Sequence, residues 1–218
     1  SCGLTMAGFT PVASVEIMPE AVETYKYNFI EQKLFDETVE TRDIRVDEVK
    51  ENLYASVEGK HIDLIVGGFP CQGFSMAGHR VVADPRNSLY LEMLEIVKRL
   101  QPDFVVMENV EGLRSMLNGK VEAKIISDYK EAGYDINVTV LNSADYGVPQ
   151  KRERVIIVGI RNDIWEQKGD FVFPAKTHEG NWTPLSVAVP ELAIEEKKYY
   201  FSERAVQGMK NAKNNMKR

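Results

Sequence analysis

Short apolar runs alternate with amphipathic stretches along this chain, and that alternation constrains the fold more than any other feature. Pro11 to Ile17 (PVASVEI) predicts a strand, and Pro19, well suited to a first helical turn, opens a stretch with Ala21, Val22, Tyr25 and Phe29 at helical spacing. Ile44 to Leu53 predicts a short helix, Ile62 to Val66 a buried strand, and Asn87 to Leu100 an amphipathic helix that Pro102 stops. Phe104 to Met107 is a third strand and Val121 to Ala132 a further helix. Ile136 to Leu141 and Arg154 to Ile160 are late strands suited to antiparallel pairing. The order β-α-β-α-β-α-β-β predicts an α/β domain with a mixed, mostly parallel sheet flanked by helices. Periodicity fades after Phe173-Pro174, so the core is expected to span 1–175, with 176–218 a connector into a further region.

Composition narrows the class. With 218 residues, 44% hydrophobic and 28% charged, the chain has enough apolar content for one sizeable core, which excludes disordered and collagen-like classes. No apolar run approaches the roughly 20 residues of a membrane span, and the first residues lack a secretory pattern, so a cytoplasmic protein without a membrane partner is expected. The two cysteines, Cys2 and Cys71, cannot build a disulfide framework and have no CxxC or nearby histidine, so no metal is expected. His61, His79 and His178 form no ligand cluster in the sequence, and Asp84, Asp103 and Asp145 read as turn or cap residues. A net charge of −6 argues against a non-specific coat on nucleic acid but leaves room for a local basic groove. One basic segment stands out: from Lys197 to Arg218 the only acid is Glu203, which fits either a solvated tail or a DNA-facing region.

Ligands of open α/β sheets sit beyond the carboxyl ends of strands, and several polar residues gather at that edge. Glu16 ends the first strand, Asp43-Ile44 precedes a helix, GGFPCQGFS (Gly67 to Ser75) follows the next strand, and Glu108-Asn109 follows the third. Each acid alone fits a cap or solvated loop as well as a ribose or adenine contact. Cys71 lies between Pro70 and Gln72 in a loop rich in glycine, where backbone can approach a ligand, and this suits a nucleophile better than a core thiol. Glu108 fits either a helix cap or a carboxyl whose pKa is raised by apolar walls. Arg152 and Arg154, two apart, share one face of a strand and suit a bidentate clamp on an anion or a solvent-facing role.

GGFPCQGFS, then MENVEGL (Met107 to Leu113), then YGVPQKRERVIIVG (Tyr146 to Gly159) resemble, in order, three signature motifs of the C5-cytosine DNA methyltransferase family. ASVEIMPEAVETYKYNF (Ala13 to Phe29) resembles the family's cofactor strand and following helix. The resemblance implies a Rossmann-like class I methyltransferase fold, S-adenosylmethionine as cofactor with S-adenosylhomocysteine as product, and duplex DNA as substrate. It implies Cys71 as the nucleophile that adds to C6 of a flipped cytosine, Glu108 as the acid that binds the base at N3 and its amine, and Arg154 with Arg152 as supports of the base site. Gly3, Glu16, Ile17, Asp43, Ile44, Pro70 and Leu89 are implied for the cofactor, and Gln72, Ser75 and Arg86 for the DNA-closing loop. A cognate restriction endonuclease is an implied partner, and a monomer the implied state.

Two departures accompany the resemblance. The family opens on a strand and glycine-rich turn, roughly DLFSGxGGLxxGFExAGF. Ser1-Cys2-Gly3-Leu4 here runs too soon into Met6-Ala7-Gly8-Phe9, so the leading strand and part of the turn are expected to be lacking, with Cys2 a non-chemical turn residue. The small recognition domain should follow residue 175 and is largely absent from these residues, only its connector and start falling within 176–218. The tRNA-modifying branch of the family and a catalytically inert cofactor-binding fragment are the alternative readings.

Overall fold

The strand and helix signals become a layered α/β structure in a computed structural model that describes residues 2–31, 38–70, 89–189 and 202–215. Its elements run α1 (Cys2–Met6), β1 (Ala13–Val15), α2 (Pro19–Lys26), β2 (Thr38–Glu40), α3 (Asp47–Ser56), β3 (Leu64–Gly67), α4 (Leu89–Leu100) and β4 (Phe104–Val110). There follow a 3-10 segment (Glu111–Gly119), α5 (Lys120–Glu131), β5 (Tyr134–Asn142), a 3-10 turn (Ser143–Tyr146), β6 (Glu153–Arg161), α6 (Asn162–Lys168), α7 (Leu185–Ala188) and α8 (Glu203–Asn215). The short strand β2 has no counterpart in the sequence reading, because its three residues are too few to show a period of two.

The described strands form two groups. β1 pairs in parallel with β2, and a four-stranded sheet has the order β3-β4-β6-β5, with β3 parallel to β4 and β6 antiparallel to both β4 and β5. The antiparallel β5-β6 pair is the hairpin that the late apolar runs predict. Between β1 and β3 lie two adjoining cavities of about 550 and 450 Å³, both lined by residues of these strands.

Helix boundaries follow local chemistry. Pro19 stands in the first turn of α2, where a missing N–H costs nothing. α3 places Asp47 and Glu48 at the positive end of its dipole. α4 turns Tyr90, Met93, Leu94, Ile96 and Val97 inward, carries Lys98 and Arg99 in its last turn, and ends at Gln101-Pro102. The main core packs α4 and α5 on β3, β4 and β6, with Val97, Val105, Leu113, Ile125, Tyr129 and Val155 fully buried. A smaller cluster of Leu53, Tyr54 and Ile96 joins α3 to α4 and receives Ala13, Val15 and Ile44. α3 and α4, two of the helices that line the larger cavity, are thereby fixed to the sheet.

No helix among the described residues is long and apolar enough to cross a membrane.

Candidate active site

The carboxyl end of β3 is shaped by a close approach. A Cβ on Gly67 would crowd the Met93 side chain of α4 at Sδ, so glycine leaves that side chain its place beside the strand end. Two residues on, the ring of Phe69 is buried 6.1 Å from that of Tyr90, and the Phe69 carbonyl accepts a 2.9 Å hydrogen bond from Asn109 Nδ2. Asn109 Oδ1 in turn accepts the Val110 N–H at 2.9 Å. Side chain and backbone of Phe69 are thus both anchored, and Pro70 leaves the core from a fixed point. Cys71, Gln72, Ser75 and Arg86, with His79 and Asp84, lie outside the described residues.

Glu108 is not a helix cap. β4 continues through it to Val110, and Val110 holds the cap position of the following 3-10 segment without a side-chain cap. The alternation of β4 buries Val105, Met107 and Asn109 on the helix-covered face and leaves Glu108 half-exposed on the other. In the antiparallel register Glu108 opposes Ile156 and Val110 opposes Arg154, so Glu108 and Arg154 are diagonal neighbours on one face. Arg154 Nε lies 2.8 Å from Glu108 Oε1, and Arg152 Nη2 approaches the same oxygen at 3.7 Å. The guanidinium of Arg154 is further fixed by a 2.7 Å hydrogen bond from Nη1 to the Glu153 carbonyl. Gly68 stands on the other side, where a Cβ would come 3.7 Å from Glu108 Oε2. One carboxylate oxygen therefore meets the arginines while the other borders the loop that leads to Cys71.

The larger cavity opens at the same edge. Glu16, Ile44, Pro70 and Leu89 line it together with apolar residues such as Val15 and Ile65, a mixture suited to a nucleoside-sized ligand. Glu16 Oε1 accepts the Met18 N–H at 2.9 Å, which orients the carboxylate just past β1. Three residues expected at the cofactor are not among the cavity's lining. Gly3 is within α1, Ile17 is half-exposed, and Asp43 is gripped by Arg45. The Arg45 guanidinium and the Arg45 N–H, at 3.0 Å, hold the Asp43 carboxyl below the usual carboxylate range. The backbone turn that this pair stabilises places Ile44 in the wall.

Sequence reasoning missed four features. Asn109 is recognised only once β4 and the loop are seen side by side. Lys50, buried in α3, bridges to Glu95 at 2.8 Å and Glu92 at 3.0 Å on α4 and so ties two of the helices that carry cavity walls. Asp145, read as a turn residue, is buried and holds the connector. His61, read as part of no ligand cluster, lies 3.8 Å from Asp63 two residues on and 3.0 Å from Asp103, which parallel pairing of β3 with β4 brings to it. Arg161 Nη1 also lies 3.0 Å from Asp103, which makes an ion-pair network the simplest account of that cluster.

A mixed α/β sheet with a cavity and polar side chains at one carboxyl edge suits a class I methyltransferase fold. Solved structures agree. A protein described as a DNA modification methyltransferase encoded within a prophage of Escherichia coli matches with a TM-score of 0.62 at 29% identity, covering 78% of this chain and 46% of that one. Dnmt2 methyltransferase of S. pombe shares the fold at a TM-score of 0.65 and 19% identity, covering 94% of this chain and 61% of that one.

Within that class the chain belongs to the C-5 cytosine-specific DNA methylase family, whose family model matches residues 1–218. Among curated relatives it is similar to the Type II methyltransferase M1.HphI of Haemophilus parahaemolyticus, 39% identical over 82% of this chain and 46% of the relative. The chain spans about half the length of the curated relatives it matches. The family and fold are those of S-adenosylmethionine-dependent methyltransferases.

Proposed function

We propose that the protein transfers a methyl group from S-adenosylmethionine to C5 of cytosine within a specific duplex DNA sequence, as a monomeric modification enzyme paired with a cognate restriction endonuclease. The observation that carries this reading is Glu108, 2.8 Å from Arg154 on one side and bordered by Gly68 of the Cys71 loop on the other, at the same edge as the cavity.

The cavity fits S-adenosylmethionine, which supplies an electrophilic methyl group when bound. Glu16 would receive the ribose hydroxyls and Ile44 would meet the adenine edge, with Pro70 and Leu89 lining the pocket; all four residues line the cavity, which supports this reading. Cytosine C5 is a weak nucleophile, so the reaction needs transient covalent activation. The Cys71 thiolate adds to C6, and the electrons of the C5–C6 double bond move towards C4 and N3. Glu108 binds N3 and the exocyclic amine, where a shared proton neutralises the charge that develops on the ring. Arg154 and Arg152 hold Glu108 and reach the base carbonyl. C5 then takes up the methyl group with the electron pair returned from N3, and S-adenosylhomocysteine is left as product. Loss of the C5 proton restores the double bond and expels the Cys71 thiolate. A base stacked in a duplex is closed to attack from both faces, so the cytosine must be flipped out, with Gln72, Ser75 and Arg86 closing behind it.

The test uses the intact protein, S-adenosylmethionine and duplex DNA carrying 5-fluorocytosine, in which the leaving proton is replaced by fluorine. A stable protein-DNA adduct is expected. Cys71→Ser should abolish it, and Glu108→Gln should slow it by about 10²–10⁴-fold. An adduct formed by the Ser variant overturns the covalent mechanism. Methylation of tRNA with none of duplex DNA overturns the substrate.

A further inference from the structure

Asp145 is buried at 5% exposure, although nothing in the proposed chemistry uses it. It belongs to the 3-10 turn that follows β5, in the connection to β6. Its carboxylate receives the Trp182 indole N–H on Oδ1 at 2.8 Å and the Lys176 ammonium on Oδ2 at 3.1 Å. Its backbone carbonyl accepts the N–H groups of Thr177 at 3.0 Å and His178 at 2.8 Å. Four donors from one short segment thus converge on a single residue.

Neighbouring contacts extend this attachment. Tyr146 Oη donates to the Pro174 carbonyl at 3.0 Å, and Lys151 Nζ lies 4.0 Å from the centre of the Trp182 ring. At Gly147 (φ +87°) a Cβ would stand 3.0 Å from the His178 ring, so the absence of a side chain admits the histidine. The other side of the turn is fastened to the base site. Asn142 Oδ1 accepts the N–H groups of Ala144 at 3.1 Å and Arg152 at 3.2 Å, and the Ser143 N–H donates to the Arg152 carbonyl at 3.0 Å. Arg152 and Arg154 are the groups that meet Glu108.

We propose that Asp145 is a positioning residue for DNA: it docks the connector 174–182 onto the turn that is hydrogen-bonded to Arg152, and so sets where the DNA-reading part of the protein begins relative to the base site. This rests on the proposed DNA-methylating function. The connector touches neither Glu108 nor the cofactor cavity, and the Arg152 backbone is held separately by Asn142 and Ser143, so loss of the connector's contacts falls on DNA engagement rather than on methyl transfer from a fully bound complex. A hydrogen bond to an ionised acceptor is of a strength whose loss shifts an equilibrium by roughly ten- to a hundredfold.

The experiment compares the intact protein with Trp182→Phe, which removes the indole donor but keeps a ring beneath Lys151, and with Asp145→Asn, which removes the charge. Trp182 is 40% exposed, so its substitution spares the core even if the Asp145 variant folds poorly. KM for the target duplex should rise about tenfold in Trp182→Phe, with kcat within about threefold and S-adenosylmethionine affinity unchanged. Amide exchange should quicken across 174–182 and stay constant in β4 and β6. An unchanged KM overturns the proposal, as does a parallel fall in kcat and cofactor affinity, which would mark a merely structural role. Failure of the function reading appears in the wild-type protein, as absence of transfer to duplex DNA. The exchange measurement still decides whether these contacts hold the connector.

Discussion

Replacing Asn109 by alanine removes the donor to the Phe69 carbonyl and the acceptor for the Val110 N–H, both at 2.9 Å, from a side chain that is 5% exposed. A buried polar group left without its partner costs about 1–3 kcal/mol, and the lost contacts add to this, so a destabilisation of about 2–4 kcal/mol is expected. For a protein of this size that corresponds to a fall in Tm of roughly 5–15 °C. The effect on catalysis is separate. Phe69 is the last buried residue before Cys71, and a displacement of about 1 Å at a reacting group can cost roughly 10²-fold in rate. Single-turnover methyl transfer at saturating cofactor and DNA, below the lowered Tm, should therefore slow by about 10- to 100-fold. Asn109→Asp sharpens the test, since it keeps the shape but offers a donor only when the introduced carboxyl is protonated. That proton is favoured by burial and by the facing carbonyl, so the variant should regain stability as pH falls, whereas the alanine variant should not. An alanine variant with Tm within about 2 °C of wild type and an unchanged transfer rate would refute the idea that this side chain anchors the loop.

Lys50→Met should lower the urea midpoint, with a loss of about 1–3 kcal/mol once the exposure of Glu95 is allowed for, and should weaken cofactor binding several-fold by calorimetry because α3 and α4 both carry cavity walls. An unchanged midpoint would exclude the bridge as a tie. The Asp145 carboxyl is held below its usual 3.8 by the Trp182 hydrogen bond and then by Lys176. Because the folded value is lowered, the connector's attachment is complete above pH 3.8 and is lost as pH falls towards that lower value. Trp182 fluorescence in a Trp165→Phe background should report the release, and Asp145→Asn should remove the pH dependence.

Much of the fold was legible because its signals are local. The apolar runs of β3, β4 and β6 and the inward stripe of α4 are each set by a few consecutive residues. Glu108, Arg154 and the loop glycines were legible as site candidates because their residue types are unusual at a strand end. What escaped the sequence depends on contacts between distant segments. Asn109 meets Phe69 across 40 positions, Lys50 meets Glu92 across 42, and Trp182 meets Asp145 across 37. An asparagine beside a glutamate, a lysine on a helix and an aspartate in a turn are each ordinary until the fold supplies the partner. His61 gains its partner in the same way, since Asp103 is brought to it by pairing of β3 with β4. Asp43 shows the converse: its sequence setting suits a ligand contact, but Arg45, two residues away, occupies its carboxylate.

The diagonal placement of Arg154 against Glu108 also bears on how this chain can vary. Side chains on a strand alternate, so a one-residue insertion or deletion within the β4-β6 ladder would send the guanidinium to the opposite surface of the sheet. Between Asn142 and Glu153 the chain turns back outside the ladder, and changes of length there need not alter the pairing. Variation compatible with a working base site should therefore keep the spacing from Arg154 to Ile160 and from Phe104 to Val110 fixed, and any change of length in the hairpin turn must still leave Asn142 and Ser143 in reach of the Arg152 backbone.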